Sequence, residues 1–598
     1  MYKLEFEKIG FWFFFISISS ITLIFNNHTS SWGNIENIYY FYFASFAIFI
    51  LFSSSLFLGQ HNLELVINRV DLALIAYNLY ILINVGLIKG VNFYNETHFT
   101  FLHLLMLYFV FKKLLRKMNN QVAVWLTVLG LISSCYGLFQ LLDWVKINST
   151  FFEITGFFSN PGPYGAYLAS VLPFSLVYFL ELKTSDKRLR VKLLKGILFL
   201  SLFVLLAGCL ASSSRTAILS VTMGIIFLLN KKYFIFRRGW SLINDRKLLL
   251  SLFAISVLFI VFFLFTWKVD SSLGRLLIWK VSTNMFWNNP IFGIGSGMFG
   301  IDYANSQALY FAVNDKSTHF AQLAGMSYFA FNEWLQIGVE LGFFGLLFFV
   351  TLIYFGLKTS KTSSIVLASK ACIYTVIIQS FFFYPFNVLP IQLIFTFSLA
   401  VLSTNQNFHW TLRFSLWPRK TILFVLLLLG SFFLSLQYKT FRAVQDWKKA
   451  ATMISFQEQR ALSIYQNIYP RLNYRGEFLF NYGAELSKLG DYEKSVTILE
   501  EAKKKFSHID LYMFLGNNYK EMNQFMKAEK NYIHASNMIP TRFYPNYLLV
   551  QLYRDTNQRK KAIKLARRIL DTKPKVSSDI VDEIKNEMKK YLQNEARI

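Results

Sequence analysis

Apolar runs of about twenty residues recur along the first three-quarters of the chain, and no other feature constrains its fold as much. A bilayer core about 30 Å thick needs about 20 apolar residues per crossing helix. Thirteen segments qualify: 10–26, 38–58, 72–90, 98–112, 121–142, 164–181, 194–211, 216–230, 247–267, 333–357, 364–386, 388–403 and 420–437. Segments four, eight and twelve are short, so about 12–13 spans are expected. No small-residue cleavage site follows Ile21–Phe25, and the first segment is read as retained. The chain is 54% hydrophobic and 16% charged, against about 25% charged in an ordinary soluble protein. Disorder is excluded. So is a disulfide scaffold, with 3 Cys in 598 residues. Cys135, Cys209 and Cys372 all fall inside proposed spans and are read as small buried apolar residues. The His residues are scattered without ligand spacing, and no metal or cofactor is expected.

The net charge is +27, so the basic excess must be located before it is interpreted. Every second loop is basic. Lys112, Lys113, Arg116 and Lys117 fill one, and Lys183, Lys187, Arg188, Arg190 and Lys192 the next. Lys231, Lys232, Arg237, Arg238, Arg246 and Lys247 follow, then Lys358, Lys361 and Lys370, then Arg413, Arg419 and Lys420. Basic loops stay in the cytoplasm. With these inside, the N-terminus is expected inside too. The loop 268–332 and everything after about 438 are then expected outside. Residues 438–598 hold 29 Lys+Arg and 18 Asp+Glu, a net +11, which leaves +16 for the rest. The excess outside the C-terminal region reads as a topology signal, and no nucleic-acid partner is expected.

After Gln437 the pattern becomes charged, helical and soluble. A period near 34 residues appears. Its clearest unit has Tyr512, Leu515, Gly516, Tyr519, Ala528, Tyr532, Ala535 and Pro540. The unit before carries Leu479, Gly483, Leu486, Ser495, Leu499 and Ala502, and the unit after carries Leu549, Tyr553, Ala562, Ile569 and Pro574. These are the small and large positions of tetratricopeptide repeats, and three units are enough to bury a continuous core. The fold class is therefore all-α: a polytopic helical membrane protein followed by a soluble α-solenoid. The expected domains are 1–437, a linker helix 438–475 and repeats over 476–598. The repeats are read either as a protein- or peptide-binding array or as purely structural.

Four local patterns carry candidate chemistry. Arg215 follows three serines between two apolar runs with almost no loop. It is either a snorkelling turn residue or a fixed cation facing an anionic ligand. Arg275 stands in Gly274–Lys280, an amphipathic start to the long loop. Residues 290–300 contain a formal GxGxxG at Gly295, Gly297 and Gly300. No strand–helix unit frames it and no acidic partner lies about 20 residues on, so a dinucleotide site is rejected. A turn that brings backbone close to a ligand at the membrane surface is expected instead. Glu333, Gln336 and Glu340 recur at helical spacing, and carboxylates in a span are functional candidates. An interfacial helix start with Asn332 as its cap is the alternative. Finally, Asn160 opens a rigid Asn-Pro-Gly-Pro turn before the sixth span.

The order and spacing of these pieces resemble the O-antigen ligase family, which includes O-antigen polymerases and bacterial protein O-oligosaccharyltransferases. The matching pieces are Gly156-Phe-Phe-Ser-Asn-Pro with Tyr-Leu-Ala169, Ser212-Ser-Ser-Arg215, Arg275 with Ile278-Trp279, Asn289-Pro290 with Gly293-Ile-Gly295, and Asn332-Glu333 with Gln336 and Glu340-Leu-Gly342. The resemblance covers roughly residues 5–405. It implies a metal-independent GT-C glycosyltransferase in the bacterial inner membrane. Such an enzyme moves a glycan from a polyprenyl (undecaprenyl) diphosphate carrier to an acceptor hydroxyl on the periplasmic side. Lipid A–core, a growing glycan or a protein would be the acceptor. Membrane lipids are partners, and a protein partner on the repeats is expected. The resemblance assigns Arg215 and Arg275 to the donor diphosphate, with Asn160, Trp279, Asn332 and Gln336 supporting. Guanidinium groups suit phosphate oxygens. The family usually has a His just before the Asn-Glu pair, where this chain has Phe331. Three explanations are open: His319 takes the role, Glu333 is the general base, or the acceptor or activity differs. Two non-enzyme readings compete, a lipid-glycan flippase and a membrane-anchored repeat scaffold. A flippase would be expected to show repeated halves, and none is visible.

Overall fold

A computed structural model of the chain describes residues 17, 19–21, 31–57, 63–90, 96–147, 151–181, 189–233, 266, 268–314, 316, 318–359, 361–414 and 416–596. The expected spans 10–26 and 247–267 lie largely outside these residues, as do the basic stretches 183–188 and 234–247. The described residues form two compact units. One lies within 1–264, 331–337 and 343–441, the other within 265–330, 338–342 and 442–598.

The described residues are mostly helical, as the periodicity predicts. Seven helices among the described residues are long and apolar enough to cross a membrane: Asn37–Ser54, Arg69–Ile88, Gln121–Leu141, Pro161–Glu181, Lys192–Ala211, Glu333–Leu357 and Lys420–Met453. Two shorter apolar helices are Ser364–Ser380 and Leu389–Thr404. The expected eighth span corresponds to the helix Arg215–Tyr233. Burial sorts them into two roles. Pro161–Glu181 is buried along most of its length and Leu389–Thr404 almost throughout. Leu193, Ile197, Leu200, Phe203 and Leu210 are instead all exposed on the helix Leu189–Ala211. An apolar face of that size is stable against lipid and not against water.

One expectation is corrected. Segments 98–112 and 121–142 form a single helix, Glu96–Leu141, of 46 residues. At 1.5 Å per residue it is about 69 Å long. The stretch between the two apolar runs, Lys-Lys-Leu-Leu-Arg-Lys-Met-Asn-Asn-Gln, contains no Gly or Pro to stop a helix. The basic cluster at 112–117 is therefore not a loop, and the crossing count loses one reversal. The parity that placed the N-terminus in the cytoplasm goes with it.

Lys112 has a different task. It is buried and pairs with Asp71, whose side chain is wholly enclosed. The Tyr108 hydroxyl donates to the same carboxylate at 2.6 Å, Ser403 at 3.1 Å and the Asn68 amide at 2.7 Å. Lys112 also donates to the Val66 carbonyl at 2.6 Å. Asn68 caps the helix Arg69–Ile83 and reaches Ser403 on the helix Leu389–Thr404. A buried pair is tolerated only when its remaining hydrogen-bonding capacity is filled, and here three helices fill it. Beside this cluster, Leu63–Ile67 and Trp410–Phe414 pair as a short antiparallel ribbon, the only strands among the described residues.

In the second unit the long loop and the repeats are one body. Helices Gly476–Lys488 and Tyr492–Ala502, Ile509–Glu521 and Phe525–Met538, and Phe543–Asp555 and Arg559–Asp571 form three hairpins, and Asp579–Glu595 covers the last. Leu499, Leu515, Ala528, Tyr532, Ala535 and Ala562 are fully buried, as the repeat pattern requires. The loop helix Phe299–Val313 packs against Phe525–Met538. Gln307 donates to the carbonyls of Gly325 (3.1 Å) and Met538 (2.7 Å). The Asn305 carbonyl oxygen accepts from Tyr512 at 2.7 Å and from Ser507 at 3.1 Å. His534 lies 3.1 Å from the same oxygen. Burial, helped by Lys503 and Lys530, pushes its imidazole down to about 4.

Breaking the buried pair should be costly. Asp71→Ala or Lys112→Ala alone is expected to destabilise the membrane unit by about 3–5 kcal/mol, because each leaves a charge buried without its partner. The double change Asp71→Leu/Lys112→Leu should cost less than the sum of the single changes. Thermal unfolding in detergent measures both, and additive losses would disprove the pairing.

Candidate active site

In the first unit four turns are built to satisfy their own amides. Gln140 accepts from the backbone N–H of Thr155 (2.9 Å) and Gly156 (2.8 Å) and donates to the Gly156 carbonyl. The Asn160 side chain accepts from the Gly162 amide at 3.0 Å and starts the helix Pro161–Glu181, with proline at its first position. Ser212 donates to the Cys209 carbonyl at 2.6 Å and accepts from the Ser214 amide at 3.2 Å. It thereby closes one helix and opens the next, and Arg215 is the first residue of Arg215–Tyr233. A Cβ on Gly165 would sit 2.4 Å from the Ser212 hydroxyl, so the two helix starts touch because one carries glycine.

The third turn precedes Glu333. Asn332 caps the helix Glu333–Leu357, accepting from the Leu335 amide at 3.0 Å. Glu333 is almost fully buried, and its carboxylate accepts from the Phe386 amide at 2.9 Å and from Asn387 at 3.4 Å. Gln336 is buried one turn on. Phe331 stands at φ +51°, a left-handed backbone that a bulky side chain adopts only under constraint. Its ring meets Tyr384 edge-on at 5.2 Å, and Tyr384 stacks on Phe383 at 4.2 Å. The fourth turn, 381–388, is thus the hub, because Phe383 also lies against Gly162. Hydropathy alone predicts that most of this turn lies inside the span 364–386. Its signal was Tyr-Pro-Phe-Asn, a turn tetrapeptide inside an apolar run.

In the second unit the helix Val269–Asn288 carries Asp270, Arg275 and Trp279. Arg275 is half-buried. The Trp279 indole donates to the Ala330 carbonyl at 2.9 Å, which ties the two ends of the loop together. His319 opens the short helix His319–Leu323 and lies 3.4 Å from the Asp270 carboxylate, with both side chains exposed. Among the described residues no three of His, Cys, Asp and Glu are placed to hold a metal ion.

The glycine-rich turn is corrected. Its close approach is made to the chain itself. The amides of Ile294 and Gly295 donate to the carbonyls of Val339 (2.9 Å) and Glu340 (2.8 Å). A Cβ on Gly293 would lie 2.3 Å from the Glu340 carbonyl carbon, and one on Gly342 would lie 2.2 Å from the Ile291 oxygen. Both glycines have φ +67°, and Gly342 breaks the helix Glu333–Leu357. The Glu340 carboxylate then accepts from the amides of Gly297 (3.1 Å) and Phe299 (3.4 Å). So Glu333 and Glu340 share a helix, as their spacing predicts, but not a partner. Glu333 holds the turn at 385–387 within the first unit, and Glu340 holds the glycine turn within the second.

Comparison with known proteins gives two matches. Residues 200–350 match the model of the O-antigen ligase family, and residues 476–504 match a tetratricopeptide repeat. They are the family and the repeat that the motifs resemble. The first match contains Arg215, Arg275, Trp279, His319, Asn332, Glu333 and Gln336, and leaves Asn160 outside. No curated protein matches the chain. The ligase-family domain supports a glycosyltransferase of the O-antigen ligase or polymerase type. With the apolar helices, it marks a multi-pass membrane protein.

Gly342→Ala is expected to disrupt the lock between helix break and glycine turn, and Glu340→Ala to loosen it. Limited proteolysis over 290–300 reads this. Wild type should resist cleavage there and both variants should be cut. Equal resistance would show that the lock does not hold the turn.

Proposed function

We propose that the O-antigen ligase domain at 200–350 makes this chain a transferase that moves a glycan from a polyprenyl diphosphate carrier to an acceptor hydroxyl. The observation that carries the reading is that one matched stretch contains both arginines and the Asn332-Glu333 pair. The acceptor oxygen attacks the anomeric carbon, the bond from that carbon to the phosphate oxygen breaks, and the polyprenyl diphosphate leaves with the electron pair. A base takes the acceptor proton. Arg215 and Arg275 carry the developing charge on the diphosphate, where fixed cations are the main expected catalytic term. Arg215 stands at a helix start, where exposed N–H groups add to its positive field.

The base is assigned to His319. Its Nε2 lies 3.4 Å from the Asp270 carboxylate, and an imidazole can take up a proton near neutral pH. Glu333 is assigned a positioning role, since its carboxylate already accepts two hydrogen bonds from the 385–387 turn.

The side of the membrane is read from the basic residues of 183–192, 231–247, 358–370 and 413–420, which border the apolar runs of the sequence. With these in the cytoplasm, the turns at 155–161, 212–215 and 381–388, the loop 268–332 and the repeats are all extracytoplasmic. We place them in the periplasm of a bacterial inner membrane, with lipopolysaccharide core or a growing glycan as acceptor. The packing of the repeats onto the loop favours a protein acceptor as the second reading.

Transfer from a polyprenyl-diphosphate glycan by the purified chain tests this. Arg275→Ala or Arg215→Ala should lower the rate by about 10²-fold or more, on the scale of removing one charge-stabilising donor. His319→Ala should lower the rate constant with little change in donor KM. Equal transfer by wild type and Arg275→Ala would sink the enzyme reading. Full activity in His319→Ala with loss in Glu333→Gln would move the base to Glu333.

A further inference from the structure

The helix Arg559–Asp571 has the sequence Arg-Lys-Lys-Ala-Ile-Lys-Leu-Ala-Arg-Arg-Ile-Leu-Asp, six basic residues and one acidic. Its apolar positions Ala562, Ala566 and Ile569 are buried, which turns the charged positions outward. A cavity of about 720 Å³ opens against this helix, walled also by Phe525–Met538 and Phe543–Asp555. Lys316 reaches it from the long loop. Six cations line it, Lys316, Lys560, Lys561, Lys564, Arg567 and Arg568, against one carboxylate, Asp571.

Two of the six have neutral or acidic partners. Lys316 donates to the Asn537 side chain, and Lys561 donates to Glu529 at 3.1 Å. Lys560, Lys564, Arg567 and Arg568 make no ion pair with any described residue. Burial and the facing Arg568 push the Lys316 ammonium down to about 8. Like charges gathered around one concavity repel each other and raise its local potential, which favours an anion there. The charges from 560 to 568 are spread along about 12 Å of helix. A ligand matching them carries its anionic groups in series. Between the cations the lining combines the amides and hydroxyls of Ser536, Asn537, Asn546 and Tyr553 with the aliphatic side chains of Ile533, Leu549, Ile563 and Leu565. The volume falls in the range of roughly 300–1,000 Å³ usual for small-ligand sites.

We propose that this cavity binds an acidic oligosaccharide, a short sugar chain bearing carboxylate or phosphate groups. The aliphatic side chains suit the C–H faces of sugar rings, the polar lining suits their hydroxyls, and the row of cations suits repeated acidic substituents. That this chain is the glycan being transferred rests on the transferase reading, whereas the binding itself does not.

Calorimetry with the full-length protein in detergent tests it without donor or acceptor. The probes are tetragalacturonate, neutral maltotetraose and the peptide tetraglutamate. Tetragalacturonate is expected to bind, at least tenfold more tightly than either control, and to weaken as salt is raised. The exposed double change Lys564→Glu/Arg568→Glu should weaken it at least tenfold with an unchanged melting temperature. Should that variant melt early, Lys564→Gln/Arg568→Gln replaces it with the same expectation. No binding, or equal binding by the variant, overturns the site. Tetraglutamate bound as tightly as tetragalacturonate overturns the glycan and assigns an acidic peptide. A negative result leaves the Arg275→Ala transfer assay standing, so the two readings fail separately.

Discussion

The first amides of a helix have no partner within it, so every helix start and tight turn must find its own acceptors. This chain meets that demand with side chains. Gln140 receives the amides of residues 155 and 156, Asn160 that of 162, Ser212 that of 214, and Asn332 that of 335. Glu333 receives that of 386, and Glu340 those of 297 and 299. The candidate motifs are, first of all, the places where the backbone leaves the helix. The same requirement explains why carboxylates survive at Glu333 and Glu340: an ionised acceptor makes a stronger bond to an exposed amide than a neutral one.

Local periodicity was readable and partner choice was not. The apolar runs gave the helices, and the 34-residue spacing gave the hairpins down to Gly516 against Tyr532. The Asn332 cap and the Asn160 turn are legible in the sequence as residue types that suit a helix start. The hidden parts are contacts across long separations. Lys112 reads as one more basic loop residue until Asp71, 41 positions earlier, is brought beside it. Glu340 reads as a membrane carboxylate until the turn 43 positions away presents its amides. The glycines of 290–300 predict a close approach, but that they approach residues 339–342 and not a ligand is not encoded in their spacing. The break between 112 and 121 was inferred from hydropathy alone, and helix propensity overrode it.

The charge can now be divided more finely. Part of the +16 outside the C-terminal region lies within the helix Glu96–Leu141, and Lys112 there is neutralised inside the fold. In the C-terminal region, one helix holds six of the 29 basic residues. Orientation, internal pairing and a concentrated surface field are three separate uses of the same excess, and only position in the fold separates them.

Gln307 bonds at once to a carbonyl of its own loop and to the last carbonyl of a repeat helix. Asn305 is likewise surrounded by repeat side chains. The repeats are therefore not a module hung on the end of the chain. Removing them would strip a buried amide and the apolar face of Phe299–Val313 of their partners, and the loop that carries Arg275 would lose part of its own core. A truncated chain that fails to work would report a misfolded loop before it reported a lost binding partner.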